Sequence, residues 1–147
     1  MSERPLYKLS PDQERWTSKK RQGASPTRLK QILCDQKGLC SLSGAPLLFD
    51  VIEGTPKVNG PGCHPLYPAV DHIDPGNPKG GFQIICYALN DLKGHLPLDC
   101  FLALSETKAW KNLMQAWKEQ AERDPRDRSA LMRLLLPNSP KWTTDTS

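Results

Sequence analysis

The sequence contains no long hydrophobic stretch. No apolar run approaches the roughly twenty residues that a transmembrane helix requires, and the first residues do not form the hydrophobic segment of a signal peptide. Neither membrane insertion nor secretion is therefore predicted. The five cysteines, an odd number in a chain without an export signal, are expected to be reduced thiols. These features predict a cytoplasmic protein that has no membrane partner.

Length and composition limit the domain organisation. A chain of 147 residues is long enough for one domain with a buried core, and is short for two. Hydrophobic residues make up 37% of the chain and proline occurs 14 times, which indicates a protein rich in loops. The predicted organisation is a basic, partly flexible arm at 1–24, one domain at 25–136 and a C-terminal tail at 137–147.

Positive charge is concentrated near the N-terminus. Eight basic and three acidic residues give residues 1–30 a net charge of +5, against +4 for the whole chain. Such a segment is attracted to a phosphate backbone. The candidate DNA-binding residues of this arm are Arg15, Lys19, Lys20 and Arg21, and Trp16 could stack on an unpaired base. For residues 1–12 the alternative is an unstructured, solvating tail.

Residues 70–95 contain the densest set of polar signals. In chain order they predict a strand at Val70–Ile73, a turn-rich loop at 74–81, a strand at Phe82–Cys86 and the start of a helix at Tyr87–His95. This order places Asp71 and His72 at the exit of the first strand and Asn90 on the helix. The three side chains are therefore expected to converge on one spot.

These three side chains suit phosphodiester hydrolysis. An imidazole titrates near neutrality, so His72 can act as a general base that takes a proton from water. Asp71 offers a hard anionic oxygen and Asn90 a neutral one, a ligand set that Mg²⁺ or Mn²⁺ accepts. A single divalent ion that also depends on substrate phosphate is predicted. Taken singly, each residue has a commoner role, in a turn, at a strand end or as a helix cap.

The segment resembles the ββα-metal core of HNH endonucleases. The matching motifs are Asp71-His72-Ile73, Gly80-Gly81, Gln83–Cys86 and Asn90–Lys93, and Gln36–Gly44 resembles the Gln-x-Gly-x-Cys-x-x-x-Gly that commonly precedes them. The likeness covers about residues 26–96. It implies an α+β fold with a treble-clef-like core at about 66–96, and cleavage of DNA to a 5′ phosphate and a 3′ hydroxyl.

The resemblance also bears on neighbouring residues. Lys93 would contact a substrate phosphate, unless it is a solvated surface lysine, and His95 would be a third metal ligand or touch the leaving oxygen. His64 could approach the site from a nearby loop. The Asn that the family pattern expects nine residues before Asn90 is Gly81, so the usual brace of the histidine loop is missing.

A second departure concerns zinc. Many HNH proteins hold a structural zinc with two Cys-x-x-Cys pairs, since such sites require four soft ligands in a tetrahedron. Here the second position of each pair, three residues after the first cysteine, is Ser43 after Cys40 and Leu89 after Cys86. Of the four expected ligands, only Cys40 and Cys86 remain. The pair Cys63-His64 could complete a rearranged site. We do not expect structural Zn²⁺.

Further elements complete the predicted fold. They are a helix from Ser25-Pro26 to about Gly38, a strand at Leu47–Ile52, a proline-rich and glycine-rich loop at 53–68, and helices at 97–104, 106–123 and 125–136. In the helix at 106–123 the apolar positions Trp110, Leu113, Met114, Trp117 and Ala121 form one face. Such a face usually covers the core, although the C-terminal helices could also dock a protein partner.

Together these features predict a metal-dependent HNH-type endonuclease that acts on double-stranded or partly single-stranded DNA. The catalytic residues would be His72, Asp71 and Asn90, with Mg²⁺ or Mn²⁺ held by the last two. The alternative is a nucleic-acid-binding subunit of a larger nuclease or defence complex, in which the same fold has little or no activity of its own.

Overall fold

The computed structural model describes residues 7–50, 64–74, 81–94 and 96–135. Within these ranges the chain forms six helices and one antiparallel sheet of two strands, which confirms the α+β class. The elements are α1 (Pro11–Trp16), α2 (Pro26–Gln36), β1 (Pro68–His72), β2 (Phe82–Cys86), α3 (Tyr87–Gly94), α4 (Leu98–Ser105), α5 (Lys108–Arg123) and α6 (Arg128–Leu134). No helix in the described ranges is long and apolar enough to cross a membrane.

The two strands form a hairpin that leads directly into α3. Pro68 pairs with Cys86 at one end of the ladder, and His72 pairs with Phe82 at the other. The order of strand, strand and helix is the predicted one, and β2 has the predicted bounds. β1 starts two residues earlier than predicted and ends at His72, while the predicted helix position His95 lies outside the described residues.

Helix α5 packs into the core and contacts the end of β2. All five residues of the predicted apolar face of α5 are buried, which confirms that this face belongs to the core. The indole Nε1 of Trp117 donates a hydrogen bond of 3.5 Å to Cys86 Sγ, so α5 is tied to the end of β2. Leu131 of α6 is fully buried as well. The face that sequence patterning identifies is therefore used for intramolecular packing.

The N-terminal segment is more ordered than composition indicates. Pro11 is the first residue of α1, and a capping box joins Ser10 to Gln13. The interpretation of residues 1–12 as an unstructured tail is therefore wrong for residues 11 and 12, and residues 1–6 lie outside the described ranges. Trp16 is 4% exposed and makes an edge contact with Phe49. Because its ring is buried, the expected stacking of Trp16 on a base is also wrong.

The predicted strand at Leu47–Ile52 does not form in its described part, residues 47–50. The amide of Leu47 donates to Gly38 O at 3.2 Å, whereas that of Leu48 donates to Leu66 O at 3.0 Å. These bonds lead to two different segments and build no ladder. The apolar pattern reflects burial instead, since Leu47 and Phe49 both lie in the core.

The Gln-x-Gly-x-Cys stretch joins α2 to the hairpin. Gln36 Oε1 accepts a hydrogen bond of 3.0 Å from Ile84 N, and its Nε2 donates to Ile84 O at 2.8 Å and to Leu39 O at 2.7 Å. A single side chain thus satisfies both backbone groups of a β2 residue. The start of α2 is as predicted, with Ser25 as N-cap and Pro26 in the first turn.

Replacing Gly38 with Ala is expected to destabilise the fold by about 2 kcal/mol, because left-handed backbone is costly for a residue with a Cβ. Gly38 has φ 75°, and an added Cβ would lie 2.6 Å from Tyr7 Oη and 2.9 Å from Gln13 Nε2. Urea unfolding measures the change. Gly94→Ala is the matched control, since a Cβ there meets nothing within 4 Å. Equal midpoints for both variants would contradict the prediction.

Candidate active site

One cleft brings together Asp71, His72 and Asn90, the three residues that the sequence predicts to converge. It has a volume of about 500 Å³ and lies between the hairpin and the chain that follows α1. Its lining residues are Trp16, Lys20, Arg21, Gln22, Ala69, Val70, Asp71, His72 and Asn90. Asp71 and His72 reach the cleft as the last two residues of β1, and Asn90 as the fourth residue of α3. An imidazole, a carboxylate, an amide and two basic side chains therefore share one space.

His72 is braced by packing. Its ring lies 4.8 Å from the ring of Phe82, centroid to centroid, and the two residues are ladder partners. Just beyond them, Ile73 N donates to Gly81 O at 3.1 Å. Gly81 has φ 105°, a conformation that an asparagine would adopt only with strain. The hairpin thus uses glycine where the HNH pattern has Asn, and Phe82 supports the histidine ring.

Asp71 lies in a buried network. Lys93 Nζ donates to Asp71 Oδ2 at 2.5 Å, and Gln83 Nε2 donates to the same oxygen at 2.9 Å. The two ionic side chains are nearly inaccessible, at 6% for Lys93 and 11% for Asp71. Lys93 Nζ also lies within hydrogen-bonding distance of the carbonyls of His72 at 3.1 Å and Ile73 at 3.4 Å. The carboxylate is therefore fixed in orientation and already has a counter-ion.

The expectation that Lys93 contacts substrate phosphate does not fit this geometry. An ammonium group has three N–H donors, and three acceptors of the protein lie within their reach. Gln83 and Ser41 are residues that the sequence reasoning missed. Ser41 Oγ donates to Gln83 Oε1 at 2.8 Å, which orients the amide toward Asp71. The hairpin register offered a signal, because Gln83 stands directly opposite Asp71.

The basic residues of the N-terminal arm divide into two groups. Lys20 and Arg21 line the cleft, whereas Arg15 and Lys19 line only a smaller cavity of about 220 Å³, to which Arg21 also contributes. Arg21 Nε donates to Trp16 O at 2.8 Å, and its guanidinium lies 4.6 Å from the centroid of the Trp16 ring. Partial burial lowers the pKa of Arg21 from its ordinary value. Trp16 thus contributes indirectly, by holding a cationic group at the cleft wall.

Three of the four positions at which the HNH pattern has zinc ligands, Cys40, Cys86 and Leu89, lie in the core. Cys86 N donates to Cys40 Sγ at 3.4 Å, and both thiols are buried. Burial would raise the pKa of Cys40, but hydrogen bonds with Cys86 and Ser43 outweigh it and lower the pKa to about 6. Burial raises the pKa of Cys86 well above its ordinary value. Leu89 is fully buried, and Cys63 lies outside the described residues.

His64 does not line the cleft. His64 is 4% exposed, its Nδ1 accepts a hydrogen bond of 3.1 Å from Leu66 N, and its Nε2 is buried without a hydrogen-bond partner. Burial, reinforced by Arg128 and Arg126 and opposed by Asp50, lowers the pKa of His64 to about 4. The accessory role expected for His64 does not fit this position. His95 lies outside the described residues.

The buried His64 predicts a loss of stability in acid. Its pKa is 6.5 when unperturbed and about 4 in the folded state, so the unfolded chain binds more protons as the pH falls through this interval. Stability that is complete above pH 6.5 should therefore decline toward pH 4, by on the order of 2 kcal/mol from this group. His64→Asn keeps an acceptor for Leu66 N but cannot become charged. Urea unfolding at pH 7 and pH 4.5 should show a smaller decline in the variant, and equal declines would contradict the prediction.

Comparisons with protein-family models, with curated proteins and with solved structures found no match to this chain.

Proposed function

We propose that this protein is a divalent-metal-dependent endonuclease of the HNH type, which hydrolyses phosphodiester bonds of DNA. The observation that carries the proposal is the shared cleft, in which His72, Asp71 and Asn90 lie together with Arg21 and Lys20. A hydrolytic site for a polyanion needs a proton acceptor, donors for a cation and positive groups for phosphate. The five residues supply all three.

Asp71 and Asn90 would hold the metal ion. Their side chains offer the hard oxygen donors that Mg²⁺ and Mn²⁺ prefer, and two protein donors leave most of the coordination sphere to water and substrate. Within the described ranges, no cluster of three or more His, Cys, Asp and Glu side chains has the geometry to hold a metal. Among the described residues, Gln83 and Lys93 donate to Oδ2 of Asp71, so we assign the ion to Oδ1. When bound, the ion would stabilise negative charge on the phosphate and the leaving oxygen.

The chain's own groups would carry the remaining steps. His72 would accept the proton of the attacking water, with its ring held against Phe82. Arg21 and Lys20 would bind phosphates of the substrate in the same cleft. Lys93 and Gln83 would keep the Asp71 carboxylate in one orientation. The products would carry a 5′ phosphate and a 3′ hydroxyl, as the resemblance implies.

A second candidate is a DNA-binding subunit without activity of its own. The ion pair with Lys93 favours it, because a buried ammonium group already compensates the only carboxylate that lines the cleft among the described residues. A carboxylate with a built-in counter-ion attracts a divalent ion less strongly. The basic residues of the cleft would then serve binding alone.

Incubation of purified protein with supercoiled plasmid separates the two candidates. The endonuclease proposal expects nicked or linear plasmid in Mg²⁺ or Mn²⁺, and no conversion when EDTA is present. Retarded but uncut plasmid in both ions would support the binding subunit instead. Plasmid that is neither cut nor retarded would overturn both.

A further inference from the structure

A tight turn that lines the cleft has an unusual residue at its tip. Arg21 and Ala24 exchange two backbone hydrogen bonds, of 3.0 and 2.8 Å, around Gln22 and Gly23. The central residues have φ 51° and 89°, the sign pattern of a type I′ turn. Such turns favour Asn-Gly, because asparagine tolerates the left-handed conformation and most longer side chains do not. Glutamine at this position is unfavourable for the turn.

Local structure does not account for Gln22. Among the described non-glycine residues, positive φ occurs at Gln22 and at Lys37, and Lys37 is the C-cap of α2, where a left-handed residue is usual. Gln22 has no such role. Its side chain is exposed, yet it lines the cleft together with Asp71, His72 and Asn90. Unfavourable backbone conformations of this kind concentrate at functional sites.

The turn is anchored firmly enough to place this side chain. Ala24 is 1% exposed at its base, and Arg21 is bonded to the Trp16 carbonyl and covers the Trp16 ring. A Cβ at Gly23 would lie 3.9 Å from Cζ of Phe82, whose ring packs on His72. The tip of the turn therefore stands beside the histidine end of the hairpin.

We propose that Gln22 determines the sequence preference of cleavage by contacting a base next to the phosphate that is cut. The proposal rests on the proposed endonuclease function. Arg21 and Lys20 would bind phosphates, which fix position and carry no sequence information. A carboxamide beside them has both a donor and an acceptor, and glutamine pairs with the N6 and N7 edge of adenine through both. Affinity for DNA would come from Arg21, and the base preference of cleavage from Gln22.

The test uses a library of DNA duplexes with randomised positions on both sides of the cut, with sequencing of the ends that the full-length protein produces. The wild-type protein should favour particular bases at one flanking position, roughly ten-fold or more. In Gln22→Gly and Gln22→Ala this preference should fall to near uniform. Gln31→Ala, a substitution of an exposed glutamine that does not line the cleft, should retain it.

The melting temperature of the variants distinguishes a base-contacting role of Gln22 from a structural one. Gln22→Gly removes the unfavourable side chain from the left-handed position, so its melting temperature should rise by about 2–4 °C. A lower melting temperature would mean that Gln22 supports the fold, and would overturn the proposal. An unchanged base preference in both variants would overturn it as well.

A second measurement distinguishes a wrong role for Gln22 from a wrong assignment of nuclease activity. If the wild-type protein cuts nothing, sequencing of the duplexes that it retains on a filter gives the same comparison for binding. A preference of bound duplexes that is lost in Gln22→Gly supports the role of Gln22 without nuclease activity. Cutting or retention with no preference at all in the wild-type protein rejects the role of Gln22 alone, and neither cutting nor retention rejects both proposals.

Discussion

His72→Ala is expected to lower the rate of plasmid nicking by about 10²–10⁴-fold, the contribution typical of a positioned general base. The loss should appear at saturating Mg²⁺ and at saturating DNA, because the imidazole activates water and is neither a metal ligand nor a phosphate contact in the proposed site. The time course of conversion from supercoiled to nicked plasmid measures it. DNA retention by the variant should stay close to that of the wild-type protein.

Two controls make this result specific. His72 is half-buried at the end of β1, so urea unfolding of the variant must show that the fold survives the loss of the ring contact with Phe82. His64→Asn replaces a histidine that does not line the cleft, and this variant should nick at the wild-type rate at pH 7. Nicking by His72→Ala at the wild-type rate would remove His72 as the base, and with it the proposed mechanism.

The predictable parts of this fold depend on local signals. Ser25-Pro26 marks the start of α2 because a capping hydroxyl and a fixed φ act within one turn. The apolar face of α5 follows from helical periodicity, and burial follows from the face. The approach of Asp71, His72 and Asn90 to one cleft follows from a hairpin that runs directly into a helix. Each of these features is encoded over a few neighbouring residues.

The features that sequence reasoning missed depend on contacts between distant segments. From the sequence alone, Lys93 is interpreted as a surface lysine on a helix. Its amine contacts Asp71 only because α3 packs against β1. Because Trp16 lies beside basic residues in the sequence, it is interpreted as a base-stacking group. Its ring is instead buried against Phe49, which comes from another part of the chain. Leu47 belongs to an apolar run that resembles a strand, while its amide bonds to Gly38. Neither periodicity nor motif spacing reports such pairings.

Lys93→Met is expected to destabilise the protein by about 3–5 kcal/mol, the usual cost of leaving one charge of a buried pair uncompensated. The Asp71 carboxylate would keep the hydrogen bond from Gln83 but lose its counter-ion. Asp71→Asn should cost a similar amount, because it leaves the ammonium group buried among neutral acceptors. Urea unfolding at pH 7 measures both changes, and the large effect follows from the 6% exposure of Lys93.

The double variant Asp71→Asn, Lys93→Met shows whether the cost comes from the pair itself or from the charge that is left behind. With both charges removed, the loss should be smaller than the sum of the single losses, and the difference is the coupling energy of the pair. Arg126→Met is the exposed control. Arg126 forms a 2.8 Å salt bridge to Asp50, and the two side chains are 60% and 46% exposed, respectively. This exposed bridge should contribute less than about 1 kcal/mol to stability. Additive losses in the double variant, or a loss for Lys93→Met no larger than that for Arg126→Met, would mean that Asp71 and Lys93 are solvated separately. Among the described residues, Gln83 alone would then orient the carboxylate toward a metal ion.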